Sequence, residues 1–338
     1  MPTLCKCQEM GKSSNISHII QAMDDRPKSP APRRLTLVPG LGVGVLAAST
    51  AAILILFAQH AGAPSIVIAA YRLTIASLIL APLALTRYRS ELANLRRSQW
   101  ILVLLSGTFL AVHFASWITS LQYTSVASSV VLVSTTPLWV ALLSPLVLRE
   151  RLGLAAILGM LLALTGGTVV ALSDACTFQA GRLTCPSLQT FFNGQAVVGD
   201  LLALFGAWMA SGYMLVGRKV RSSLELIPYI FIVYSMAAVV LIAILFAARE
   251  KPFGYSASVF LWCLLLALIP QLVGHTAYNW ALKYLPASFV AVTLLGEPIG
   301  ATVLAFIIFQ QSPGWIKILG GLFILTGIYL AARTRNQT

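Results

Sequence analysis

Glu297 is the residue in this chain that most needs a chemical reason. It stands about nine residues into an apolar run long enough to cross a bilayer, hence roughly 14 Å deep if the run is helical. An ionisable side chain at the centre of a span costs about 2.5–3.5 kcal/mol to insert, so it must face a bundle interior or a hydrated cavity. There it can bind a proton or a cationic group, or stay protonated as a structural hydrogen-bond partner. His113 and His275 lie in two other apolar runs, where imidazoles could relay protons near neutral pH or pack as hydrogen-bonded core residues. Arg72 lies about 10 Å from the nearer end of its run, able to hold a substrate carboxylate or to snorkel to the interface. Asn279 carries an amide that needs partners if buried. Its neighbours Tyr278 and Trp280, with Trp117, suit either a pocket wall or an interfacial belt. Pro137 and Pro298 cannot donate to the carbonyls of Val133 and Leu294. That predicts a free backbone acceptor in mid-span, serving as ligand or hinge, or a plain packing kink.

The elements that must position these residues are membrane spans. Of 338 residues 58% are hydrophobic and only 10% charged, against roughly 25% charged in an ordinary soluble domain. Apolar runs near residues 37–58, 65–86, 99–120, 125–148, 152–173, 197–216, 226–248, 257–281, 288–309 and 315–332 predict an all-α membrane protein with ten transmembrane helices. The net charge of +13 does not indicate nucleic acid, because Lys and Arg fall between the apolar runs. Arg87, Arg89, Arg96, Arg97, Arg149, Arg151, Arg218, Lys219, Arg221, Lys283 and the basic residues of both ends fall on one side; only Arg182, Arg249 and Lys251 fall on the other. The positive-inside bias therefore predicts a multi-pass protein of the inner or plasma membrane with both termini cytosolic. Residues 1–35, rich in proline and charge, read as a disordered cytosolic tail, in which Met10 or Met23 could also be the start; 334–338 read as a cytosolic C-terminus. The loop 174–196 is expected outside, where Cys176 and Cys185 could form a disulfide or remain free thiols.

The chain is also doubled. LQYTSVASSVVLVSTTPLWVALLSPLVLRERLG (121–153) aligns without a gap on LKYLPASFVAVTLLGEPIGATVLAFIIFQQSPG (282–314), about 161 residues on. Tyr123 falls on Tyr284, Thr136 on Glu297, Pro137 on Pro298 and Gly159 on Gly320. Five spans in each copy, 36–173 and 197–333, is an odd number. The second copy is therefore expected to enter the membrane inverted, with the site near the midplane where the repeats meet and Thr136 and Glu297 bordering it. Small residues such as Gly159, Ala163, Gly320, Gly321 and Gly327 are expected to let helices approach closely.

The pattern L-x-Y followed after thirteen residues by Pro, present twice and followed each time by a glycine-rich last span, resembles the EamA-like branch of the drug/metabolite transporter superfamily. Glu150 sits in that family's typical place after the fourth span. Gln310 and Gln311 stand where an acid is common in the second copy, and the first span lacks the Trp often found there. The resemblance implies a ten-helix carrier that moves small metabolites, amino acids or drugs, usually outward, by alternating access. No Walker loop, HExxH or GxSxG pattern is present, so energy is expected from gradients, with no cofactor. Expected partners are the bilayer, a small-molecule substrate and, for a proton-coupled carrier, protons. The competing readings are a proton-independent facilitator and an integral-membrane enzyme or lipid-handling protein using Glu297 as acid or base.

Overall fold

The structure, a computed structural model, describes residues 34–148, 154–175, 177–179, 182–184, 194–285, 290, 293–294 and 296–333. From Val38 onward they belong to one compact unit. Glu150, Cys176 and Cys185 lie outside the described residues, as do 1–33, 334–338 and, of the expected ninth span, 288–289, 291–292 and 295.

The described helices are α1 (Arg34–Ser49), α2 (Ala51–His60), α3 (Ser65–Arg87), α4 (Arg89–Ala93), α5 (Arg97–Ser120), α6 (Val126–Val133), α7 (Thr136–Leu148) and α8 (Leu154–Ala175). After a two-stranded hairpin come α9 (Gln195–Arg221), α10 (Leu226–Ala247), α11 (Ala257–Leu266), a π-helical segment (Ala267–His275), α12 (Thr276–Tyr284), α13 (Gly296–Phe309) and α14 (Trp315–Arg333). The hairpin corrects the expectation of a plain loop: β1 (Thr177–Gln179) pairs antiparallel with β2 (Arg182–Thr184), Phe178 opposite Leu183. Among the described residues seven helices are long and apolar enough to cross a membrane: Pro39–His60, Ser65–Arg87, Arg97–Ser120, Val126–Leu143, Gln195–Arg221, Leu226–Ala247 and Ala257–Tyr284. Three shorter apolar helices, Ile157–Val170, Gly296–Phe309 and Trp315–Gly327, occupy the places of the fifth, ninth and tenth expected spans. Large apolar side chains such as Leu78, Phe246 and Ile307 are more than 60% exposed, a surface suited to lipid rather than water.

Several spans are broken, and the sequence gives the cause. Between α1 and α2 the Thr50 hydroxyl donates to Ala47 O at 2.7 Å and the Ser49 hydroxyl to Val45 O at 2.9 Å, competing with the main-chain ladder. Pro270, which has no N–H, lies inside the π segment and interrupts the α ladder of the eighth span. The fourth span stops at Val133 and restarts at Thr136, and α13 starts at Gly296. Pro137 and Pro298 therefore fall in the first turn of a fresh helix, the place where a missing N–H is tolerated. The expected free carbonyls are accordingly absent: Val133 O accepts from the Thr136 hydroxyl at 2.8 Å and Leu294 O from Glu297 N–H at 2.9 Å.

The packing is reciprocal between the two halves. Helices α3 and α10, each the second of its half, pair with one another, as do α8 and α14, each the last. The latter pair meets at glycines. A Cβ on Gly166 would collide with Gly320 O and Ile324 N, and one on Gly327 with Gly159 O and Ala163 N. Gly159 aligns with Gly320 and Gly166 with Gly327, so the two contacts are one contact made twice. Similarly, a Cβ on Gly206 would press on Ser116 and touch Trp117, while one on Gly44 would strike Ala277 and touch Tyr278, the residues aligned with them.

Candidate functional site

The breaks open onto a cavity of about 730 Å³ with its open mouth included. Helix α5 contributes His113 and Trp117, and the α6–α7 break Val133, Ser134, Thr136 and Pro137. From α9 come Ala210, Tyr213 and Met214; from the eighth span His275, Tyr278, Asn279 and Leu282; from the start of α13 Leu294 and Glu297. Of the residues singled out in the sequence, Glu297, Thr136, His113, His275, Asn279 and Pro137 are thus brought together, while Pro298 is buried outside the lining.

The repeat-related break positions are held by side chains from first spans of either half. The Ser211 hydroxyl donates to Ala207 O (2.8 Å) and Thr136 O (3.1 Å), fastening α7 to α9. The Ser49 hydroxyl lies 3.4 Å from Glu297 O, and Cβ atoms on Gly296 or Gly300 would strike Val45 or Ser49, so α13 approaches the first span closely. Both half-helices begin at the cavity, where their exposed N–H ends favour negative charge. Glu297 occupies the first turn of α13. Its carboxylate is half-buried, faces the cavity and makes no hydrogen bond among the described residues.

Around it the polar wall is specific. His113 is buried and its Nδ1 lies 2.9 Å from Gly206 O, so Nδ1 is the protonated nitrogen and Nε2 the variable one. His113 stacks on Trp117 with ring centroids 5.9 Å apart, and His275 meets Tyr278 edge-on. Asn279, 1% exposed, is fully engaged: Nδ2 donates to His275 O and Oδ1 accepts from the Tyr213 hydroxyl, both at 2.8 Å. Tyr278 and Trp117 are buried wall residues, whereas Trp280 packs beside Gly40 and Tyr284.

Arg72 resolves toward the interior and does not snorkel. It is 0% exposed; Nε donates to Gln271 Oε1 at 2.8 Å, and the guanidinium sits over the Phe114 ring at 4.1 Å. Arg72 and Glu297 form no contact ion pair. Arg221, one of the basic residues used to orient the chain, is 1% exposed and donates from Nε to Asn279 O at 3.1 Å and from Nη1 to Leu224 O. Sequence reasoning passed over Tyr213, Ser211 and Gln271. Gln271 had a signal, an amide beside Pro270 inside an apolar run; the other two look like ordinary members of a span.

Comparison with known proteins agrees with this architecture. The profile of the EamA-like transporter family matches residues 38–172 and again 197–333. A protein of Archaeoglobus fulgidus named an uncharacterized transporter is 22% identical over 272 residues, 80% of this chain and 88% of its own. The pseudopaline exporter CntI of Pseudomonas aeruginosa is 23% identical over 303 residues, 89% of this chain and 98% of its own. One crystal structure, 20% identical, superposes with a TM-score of 0.62 over 90% of this chain and 100% of that one, a likeness of fold. With the family profile matched twice over most of its length and a helical bundle closed around a midspan cavity, this multi-pass membrane chain belongs to the EamA-like transporter family.

Proposed function

We propose that the protein is a secondary carrier that exports a small metabolite by alternating access, with Glu297 exchanging a proton or binding a cationic group of the cargo during the cycle. The carrying observation is the Glu297 carboxylate itself, which stands in the first turn of a broken span, on the wall of the central cavity, without a hydrogen-bond partner among the described residues. A structural glutamate would be satisfied by a neighbouring helix; this one is left for something that comes and goes. The reading takes the seven long and three short apolar helices as ten spans in two inverted halves, supported by the reciprocal glycine contacts. Both termini are then cytosolic, and the cavity lies where the halves meet. The transporter family and the names of relatives favour transport over an enzyme using Glu297 as acid or base.

The test is an untargeted metabolite profile of the medium around cells overproducing wild type, Glu297→Gln or neither. A compound that accumulates only with wild type is the expected result. Equal release by both proteins would leave a carrier without a role for Glu297, and the proton exchange would be abandoned. Efflux from proteoliposomes carrying an imposed pH gradient then separates a proton exchanger, which responds, from a facilitator, which does not.

A further inference from the structure

The third and eighth spans hold the same place in the two halves, yet they are built differently. The third is a single α-helix, α5, whereas the eighth passes through the π-helical segment Ala267–His275. Burial locates the difference. Between 101 and 112 the third span buries Val103, Ser106, Gly107, Leu110 and Ala111, and the eighth repeats that pattern with Cys263, Leu266, Ala267, Pro270 and Gln271. Further on the match has moved by one residue, so that Trp117, Ile118, Ser120 and Leu121 correspond to Tyr278, Asn279, Ala281 and Leu282. Leu272 still matches Val112 and Gly274 already matches His113, which leaves Val273, 42% exposed, as the one residue that the eighth span has in excess. In an α-helix an extra residue would turn everything after it by about 100°. The wider π turn absorbs it, and both stretches keep their faces.

This segment abuts a second interruption. A Cβ on Gly274 would press on Ala48 N at 3.2 Å and Gly44 O at 3.3 Å, which puts the π segment against the main chain of the first span just before its break at Thr50. The corresponding corner of the other half is stiffer. There α5 and α9 both run unbroken, and Ser211 holds Thr136 O at 3.1 Å where its counterpart Ser49 reaches Glu297 O only at 3.4 Å. We propose that the first and eighth spans form the moving wall of the cavity, hinged at Thr50 and at the π segment, while α5 and α9 form the fixed wall. The inference rests on the transport reading and adds which side of the cavity moves. Two equivalent halves that merely rocked against one another would need no such difference. A π segment suits a hinge because its i→i+5 bonds exchange for i→i+4 bonds one residue at a time, carrying the extra residue along the helix without a net loss of pairing. Pro270, inside the segment, has no N–H to release. The segment ends at His275, and His275, Tyr278 and Asn279 are wall residues, so each step re-aims the cavity side of the span. The rival reading, a static span whose π turn only houses an inserted residue, predicts no motion there.

The experiment has two arms. Amide hydrogen exchange of the wild-type protein in lipid nanodiscs compares Ala267–His275 with residues 107–115 of α5. Exchange about ten-fold or more faster in the π segment is expected, since a hinge opens locally at less cost than a packed rod. In the second arm, deletion of Val273 removes the extra residue and Val273→Ala keeps it. The deletion should melt at or above the wild-type temperature in detergent, while efflux from proteoliposomes of the compound released by wild type falls about ten-fold or more. Val273→Ala should match wild type in both. Equal exchange in the two segments overturns the hinge. So does wild-type efflux by the deletion, and so does a deletion that melts lower and carries less, which marks a packing role. Should the deletion fail to insert, the exchange comparison alone decides. Absence of any compound released by wild type removes the transport reading, and the exchange comparison still tells a hinge from a static span.

Discussion

At the level of single residues, the polar interior is a set of paired obligations. The Tyr213 hydroxyl and the Asn279 carbonyl satisfy one another across α9 and α12, and Arg221 holds the Asn279 main chain. Tyr213→Phe keeps the ring but leaves Asn279 Oδ1 buried and unpaired, at a cost of about 1–3 kcal/mol. A lower melting temperature of the detergent-purified protein, with Ser222→Ala at the exposed position just after the same helix as a control of small effect, is the expected outcome. Much of this site was legible in the sequence because intramembrane Glu, His and Asn are conspicuous against 58% hydrophobic residues. Arg72 and Arg221 were harder. A lone arginine near the end of an apolar run reads the same whether it reaches for headgroups or turns inward, and only the partners, Gln271 and Phe114 for one, Asn279 and Leu224 for the other, decide. Tyr213 and Ser211 gave no signal because their role comes from a second helix.

Among elements, the decisive feature is how closely helices approach without side chains between them. On α14, a Cβ at Gly320 would lie 2.9 Å from Gly166 O, while one at Gly321 would meet only Val131 at 3.9 Å. Gly320→Ala should therefore destabilise the α8–α14 pair by about 1–3 kcal/mol and Gly321→Ala should be nearly neutral. Thermal unfolding of the two purified variants side by side checks this. The sequence announced these glycines as close-packing residues but did not say which of two adjacent ones faces the partner. It also announced the prolines and misjudged them. Pro137 and Pro298 were expected to interrupt helices and strand carbonyls; instead the chain stops before them and starts again, so the interruption precedes the proline and the first-turn residues Thr136 and Glu297 inherit the cavity. The π segment was not foreseeable in detail, since Pro270 explains a disturbed ladder but not its length.

For the whole molecule, the proposed topology puts Lys251 and Ser90, both exposed, on opposite sides of the membrane. In a variant with its five native cysteines replaced, Lys251→Cys should react with a membrane-impermeant maleimide in intact cells and Ser90→Cys only after permeabilisation. The reverse pattern would invert the protein and the direction in which its cavity empties. The duplication was readable because Tyr, Pro and Gly landmarks recur at one offset, whereas the mutual fit of the halves had to be seen. That fit has a consequence of its own. Because Gly159 meets Gly327 and Gly166 meets Gly320, the face that α8 offers to α14 is the same face that α14 offers in return, an isologous surface like that of a two-fold dimer. Each half already carries its own docking surface, so the linker between them is needed to set stoichiometry but not to create the interface, and two separately translated halves have the matching surfaces with which to pair.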